Sequence, residues 1–105
     1  MASIYRINES DLTWFDFEPG IRVKPLTRGR SDLPSMQYLE YGPGHTDPVH
    51  SHDTDEVFIV ITGELRLEGI EGSSGPGGVV FIPRDTPYAV SCGPEGVRYF
   101  RVVVS

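Results

Sequence analysis

The stretch that decides the fold runs from Gly44 to Gly63, GHTDPVHSHDTDEVFIVITG. All three histidines of the chain, His45, His50 and His52, fall within eight of its residues, and Glu56 and an apolar run follow. His50 and His52 are two apart. On a strand, residues i and i+2 share a face, roughly 6–7 Å apart along the backbone, so their imidazoles can lean onto one metal ion. Glu56 would lie about 13 Å beyond His52 on one straight strand, too far to share that ion. The intervening residues, Asp53 to Asp55, are rich in turn-forming aspartate. If the chain turns back there, Glu56 opens the neighbouring strand and two imidazoles meet a carboxylate on one side of a sheet. An isolated His-x-His pair would read as a solvated turn. Here the glutamate and the apolar strand behind it keep a metal site open beside that reading.

Outward from this stretch, Gly and Pro punctuate the chain every several residues, and no segment holds a helical period. The short runs between them predict strands at Ile4–Ile7, Ile21–Leu26, Met36–Tyr41, Val57–Thr62, Leu65–Glu68, Val79–Ile82, Tyr88–Cys92 and Arg98–Val104. FIVITGELRL reads as a tight hairpin turning at Gly63, GIEGSSGPGG as a solvated loop, and GPEG at 93–96 as another turn. DLTWF reads as a short helical turn or an edge contact. Many short strands at this spacing imply an all-β sandwich or barrel.

Composition narrows the function. A chain of 105 residues suits one domain with a modest core, and pairing of two copies would bury more apolar surface. The net charge of -6 and the lack of any Lys/Arg run argue against nucleic acid as a partner. No apolar segment is long enough to span a bilayer, so no membrane role is expected. The start, MASIYRINESD, lacks the features of a signal peptide. One cysteine, Cys92, excludes an internal disulfide framework. Together these point to a cytoplasmic location.

The Gly44–Gly63 stretch resembles the first motif of the cupin superfamily, G(X)5HXH(X)3–4E(X)6G, which Gly44, His50, His52, Glu56 and Gly63 satisfy without a gap. The second motif, G(X)5PXG(X)2H(X)3N, is met in part by GGVVFIPRDTPYAVSC: Gly77 and Pro83 fit, while Asp85 replaces the glycine, Tyr88 the histidine and Cys92 the asparagine. The resemblance implies an all-β, cupin-like double-stranded β-helix (a jelly-roll barrel) in one domain. Its parts would be N-terminal strands over 1–43, motif one over 44–63 and motif two over 77–92. It also implies a divalent transition metal held by His50, His52 and Glu56, with the family's third histidine absent.

Tyr88 then has three readings. The ion keeps a two-His, one-carboxylate set with Tyr88 unbound, which suits Fe(II) best, with Mn, Zn or Ni as alternatives. Or Tyr88 is itself a ligand, as phenolate. Or the site is lost, and the phenol fills the space, hydrogen-bonded to Glu56 or a histidine. The leading expectation is a metal-dependent cupin enzyme, of dioxygenase or isomerase type, acting on a small organic molecule, with Tyr88 and Glu56 as catalytic residues. The alternative is a non-catalytic small-molecule-binding or regulatory module.

Strand parity places Phe58 and Val60 inside with Glu56, and Val90 inside with Tyr88. On the last strand either Arg98, Phe100 and Val102 or Tyr99, Arg101 and Val103 face inward. Arg101 inside would anchor a carboxylate or phosphate, although an arginine on the solvent face is the more ordinary outcome. His45 reads as a mouth or supporting residue and Cys92 as a buried thiol. Trp14, Phe15 and Phe17 would pack over a barrel end or at a homodimer interface.

Overall fold

The computed structural model describes residues 4–104. A 3-10 turn at Glu9–Asp11 is followed by six strands: β1 (Phe15–Glu18), β2 (Ile21–Pro25), β3 (Ser35–Tyr41), β4 (Asp55–Leu67), β5 (Val79–Ile82) and β6 (Val90–Val104). They form one sheet in the order β1-β2-β3-β6-β4-β5, every pair antiparallel. The sheet curls on itself, and isolated bridges Thr46–Ser91, His50–Tyr88 and Leu65–Ser74 add rungs where named strands end. The result is an all-β, cupin-like barrel. Among the described residues, no helix is long and apolar enough to cross a membrane.

β5 falls on its expected residues, and β2 and β3 within one residue of theirs. Two expected turns do not exist. FIVITGELRL is part of one thirteen-residue strand, and GPEG lies inside the fifteen-residue β6. The physical reason lies in a glycine pair. β4 and β6 pair along almost their whole length, with the register slipping between Val60 and Thr62 and between Gly63 and Leu65. Gly63 (φ 79°) and Gly96 (φ 79°) both take the left-handed conformation beside these slips. The backbones touch there: a Cβ on Gly63 would overlap the Gly96 carbonyl oxygen and come within 2.9 Å of Val97 Cα. The positive φ expected to serve a hairpin serves a bulge instead, which bends both long strands together and closes the barrel.

The N-terminal part also departs from expectation. Ile4–Ile7 forms no strand; Tyr5 instead donates its phenol to the Leu26 carbonyl at 2.8 Å. β1 had no predicted counterpart beyond an edge contact, because its four residues are all exposed and show no buried alternation. Trp14 stacks on Tyr38 at 5.2 Å on the sheet's outer face, with the Arg22, Lys24 and Arg98 cations 4.8–5.4 Å from its ring. This contact explains why Lys24 is buried on the outer side of β2, its ammonium held by Glu9 at 2.7 Å.

The core is the barrel interior. Phe58, Val60, Leu65, Val90 and Tyr99 are each no more than 1 % exposed, so the parity expected of β4 and of the Tyr88 segment holds. On β6 the inward set is that of Tyr99 and Arg101. Gly63→Ala is expected to destabilise the fold by at least about 2 kcal/mol, since it combines left-handed strain with a backbone overlap that no rotamer relieves. Urea unfolding tests this. A change under about 0.5 kcal/mol would show that the bulge tolerates a side chain.

Candidate functional site

One cavity of about 410 Å3 opens between β1, β2 and β3 on one side and the His50–Tyr88 segments on the other. Three aromatic rings of its wall, Phe58, Tyr88 and Tyr99, pack at centroid distances of 5.2–5.9 Å. Phe15 and Phe17, 43 % and 65 % exposed on the edge strand, form its lip. Two of the three residues of the expected aromatic cluster thus belong to the cavity, while Trp14 belongs to the outer face.

The polar groups gather at the inner end. His50 and Tyr88 face each other in a two-bond antiparallel bridge (His50 N to Tyr88 O 2.9 Å, Tyr88 N to His50 O 2.8 Å). Directly opposed residues project to the same side, which sets the two rings 4.6 Å apart. His52 follows, its ring 5.0 Å from His50 and nearly perpendicular to it. Its carbonyl accepts the Asp85 N–H at 2.7 Å. Asp85, which stands where the second motif has glycine, is the one described non-glycine residue with positive φ (59°), and aspartate is among the side chains that tolerate that conformation. The substitution therefore keeps the turn. Asp55 accepts the Arg84 N–H at 2.8 Å and pins the same loop to the start of β4.

Glu56 comes next and is fully buried. Its Oε1 accepts the Tyr88 phenol at 2.8 Å, and its Oε2 is bound by Arg101 Nε. Arg101 in turn donates from Nη1 to Gln37 Oε1 at 2.8 Å, across the β3–β6 register pair Gln37–Arg101. His52 Nε2 lies 3.8 Å from Glu56 Oε1. Burial, then the hydrogen bond to Glu56, pushes the Tyr88 phenol well above its ordinary pKa, so it stays protonated. His50 Nδ1 lies 2.9 Å from the Pro48 carbonyl; a carbonyl only accepts, so Nδ1 is the donor there, and in the neutral ring the lone pair falls on Nε2.

A second polar group lies along the same wall. Asp47 accepts the Tyr41 phenol at 2.6 Å, and Tyr41 packs edge-on to Tyr99. His45 sits behind them, edge-on to Tyr41 at 5.0 Å, with Nε2 3.4 Å from Asp47 Oδ1 and no hydrogen-bond partner. His45 thus lies behind the cavity wall rather than among the residues that line it. Cys92 is buried, its thiol directed at the Gly42 carbonyl at 3.0 Å.

The structure therefore gathers His50, His52, Glu56 and Tyr88 at one end of a cavity. Whether they fit the ion implied by the resemblance turns on Glu56. Both of its oxygens are engaged, one by a phenol and one by a guanidinium that already supplies a positive charge there. Among the described residues, no three His, Cys, Asp or Glu side chains converge as a metal-holding group. As arranged, these residues do not fit a bound ion. Sequence reasoning left Arg101 nearer the solvent and did not reach Gln37, Tyr41 or Asp47. Parity along β3 offered a signal, since Gln37 alternates with the inward Leu39 and Tyr41.

Comparison with known proteins agrees with the fold. Residues 37–103 match the Cupin domain family, and the chain belongs to it. It is 29% identical over 84 residues to the dimethylsulfoniopropionate lyase DddW of Ruegeria pomeroyi, covering 75% of this chain and 55% of that protein. The chain thus spans little more than half the length of that curated relative. The polyketide cyclase RemF of Streptomyces resistomycificus superposes with a TM-score of 0.77 at 25% identity, over 96% of this chain and 78% of the other. An RmlC-like cupin of Ralstonia eutropha JMP134 superposes at 0.85 with 17% identity, over 98% and 69%.

Arg101→Met would leave the Glu56 carboxylate buried without its cation. It is expected to cost about 3–5 kcal/mol, and adding Glu56→Gln should restore a large part of it. Denaturant unfolding of both variants checks this. Equal losses in the single and double variants would show that the cost does not come from stranding the Glu56 charge.

Proposed function

We propose that this cupin binds a compact, largely apolar organic molecule in its cavity and acts on it by proton transfer, with no ion at the first-motif residues. The reading is carried by the Tyr88–Glu56 hydrogen bond at the cavity's inner end, with Glu56 locked from behind by Arg101. A cavity of about 410 Å3 suits a small ligand.

In this reading His50 Nε2, its lone pair fixed by the Nδ1–Pro48 contact, takes a proton from the substrate. Negative charge then builds on a substrate oxygen. The Tyr88 O–H turns about its C–O bond from Glu56 toward that oxygen and stabilises it. Glu56 keeps its Arg101 partner meanwhile, so the change of partner does not orphan a buried carboxylate. Its raised pKa makes Tyr88 a hydrogen-bond donor rather than a phenolate. The His50 imidazolium then gives that proton back, to the product carbon or to the leaving group, while His52 packs edge-on beside it. Proton abstraction next to an acceptor oxygen is the first step of eliminations and ring closures. A lyase and a cyclase stand among the similar proteins, and neither of those two is named as a dioxygenase.

Two measurements test this. Untagged protein is expected to carry no stoichiometric Fe, Mn, Zn or Ni, and its Tm should move by less than about 1 °C with chelator or added metal. Binding of one equivalent with a rise of several degrees would restore the metal-dependent reading. Incubation with small 3-oxo and 3-hydroxy carboxylic acids in D2O, followed by NMR, should show deuterium exchange at C2 in the oxo acids and loss of the 3-hydroxyl as water from the hydroxy acids. His50→Gln and Tyr88→Phe should each slow that by at least about tenfold. Binding without turnover across the panel would make the cavity that of a binding module.

A further inference from the structure

Asp47 lines the same cavity but takes no part in the network around Glu56. Its backbone N–H bonds to the Val90 carbonyl at 2.9 Å. Val90 lies two strand residues, roughly 6–7 Å, along the wall from Tyr88 and the rung it shares with His50. The Asp47 side chain is only 11 % exposed. A carboxylate so far from water is ordinarily matched by a cation, as Arg101 matches Glu56. Among the described residues, no Lys or Arg pairs with Asp47. Its Oδ2 accepts the Tyr41 phenol at 2.6 Å. Burial, then the neighbouring Tyr99, raises that phenol far above its ordinary pKa, so Tyr41 is a neutral donor.

Oδ1 accepts no hydrogen bond among the described residues. His45 Nε2 stands 3.4 Å away and is the one described side-chain nitrogen or oxygen both sealed from solvent and unpartnered. Oδ1, unpartnered as well but not sealed, therefore reaches open space, and the space beside Asp47 is the cavity. The charge balance of the wall agrees. Its acidic and basic side chains are Glu18, Asp47 and Arg101, beside the histidines, and Arg101 is committed to Glu56. Two carboxylates remain on a wall that is otherwise largely apolar and aromatic, and such a cleft concentrates cations.

We infer that Asp47 is the recognition residue for a protonated, alkylated amine, whose N–H donates to Oδ1 while its alkyl groups rest against Tyr41 and Tyr99. The inference rests on the cavity being the ligand site proposed above, and it names the class of ligand. The count of donors follows from the count of acceptors. A primary ammonium brings three N–H donors and leaves two unmet against this wall, whereas a tertiary one brings a single N–H that Oδ1 takes. Aromatic rings attract the charge and accommodate the carbons around it. An uncharged ligand of the same shape forms no charge-assisted bond and leaves the carboxylate unmatched. A substrate of the kind proposed above would carry its amine at the end away from the acidic C–H.

NMR titration of isotope-labelled protein at neutral pH tests this with 2-(dimethylamino)ethanol, which is protonated there, and 3-methylbutan-1-ol, its uncharged equivalent in shape. The amine is expected to bind at least about tenfold tighter than the alcohol, both shifting the resonances of Tyr41, Val90 and Tyr99. Choline, which has no N–H on its nitrogen, should bind at least about threefold more weakly than the tertiary amine. Asp47→Asn keeps an acceptor for the Tyr41 phenol and removes the charge. Amine affinity should then fall by at least about tenfold and alcohol affinity by less than about threefold. Equal affinity for amine and alcohol in the wild type, as when a protonated His45 already matches the charge, overturns the inference without any variant and leaves the cavity a ligand site. Choline binding as tightly as the amine overturns it too, as does an amine preference that survives Asp47→Asn in folded protein. If neither compound shifts the cavity resonances, the ligand site proposed above falls and this inference with it.

Discussion

A carboxylate with no solvent contact has to be matched inside the protein, and Glu56 is such a carboxylate. An unpaired charge buried this deeply would be too costly for a fold of ordinary stability. Its match comes from three directions. Arg101 on β6 supplies the charge, Tyr88 supplies a donor, and Gln37 on β3 holds the guanidinium's other arm. The β3–β6–β4 part of the sheet is therefore tied by one polar network at its centre, flanked on the inside by Phe58 and Tyr99 and on the outside by Val57 and Val102. Pairing of this kind adds little net stability over an apolar core, but breaking it is expensive. It favours one register, because a one-residue slip of β6 would turn Arg101 outward and leave Glu56 alone.

The fold was legible because its signals are local. Histidine spacing, glutamate distance and the glycine of the first motif lie within twenty residues, and period-two burial on β4 follows from Glu56 alone. The two turns were misread because the local signal for a bulge glycine is the same as for a hairpin glycine. Only Gly96, thirty-three residues from Gly63, decides between them, by lying against it. A long-range contact of that kind has no signature in either segment. β1 was missed for a different reason: four exposed residues carry no alternation to read, and the strand forms because β2 offers an edge.

The site was legible as a gathering of residues but not as a chemistry. Spacing placed His50, His52 and Glu56 together, the cupin resemblance added Tyr88, and the structure brings the four to one end of the cavity. What spacing left open was the partner of Glu56. Parity allowed two inward sets on β6, and the choice between them decides whether a guanidinium reaches the carboxylate. Register across three strands makes that choice, through Glu56 pairing with Val103, Phe58 with Arg101 and Gln37 with Arg101.

The same alternation explains why one short sheet can carry two different surfaces. Along β4 and β6 every second residue serves the cavity, and the residues between them are free to be apolar because they face neither substrate nor the polar network. A small barrel buries a limited share of its surface, and its inner face here is partly given to polar groups and an open cavity. The outer rows are then the remaining place where apolar burial can still be gained. On this argument the cavity and the covered outer face are not independent features. The more of the interior a small barrel devotes to a ligand, the more of its stability has to come from covering the outside, as the N-terminal segment does where Trp14 stacks on Tyr38.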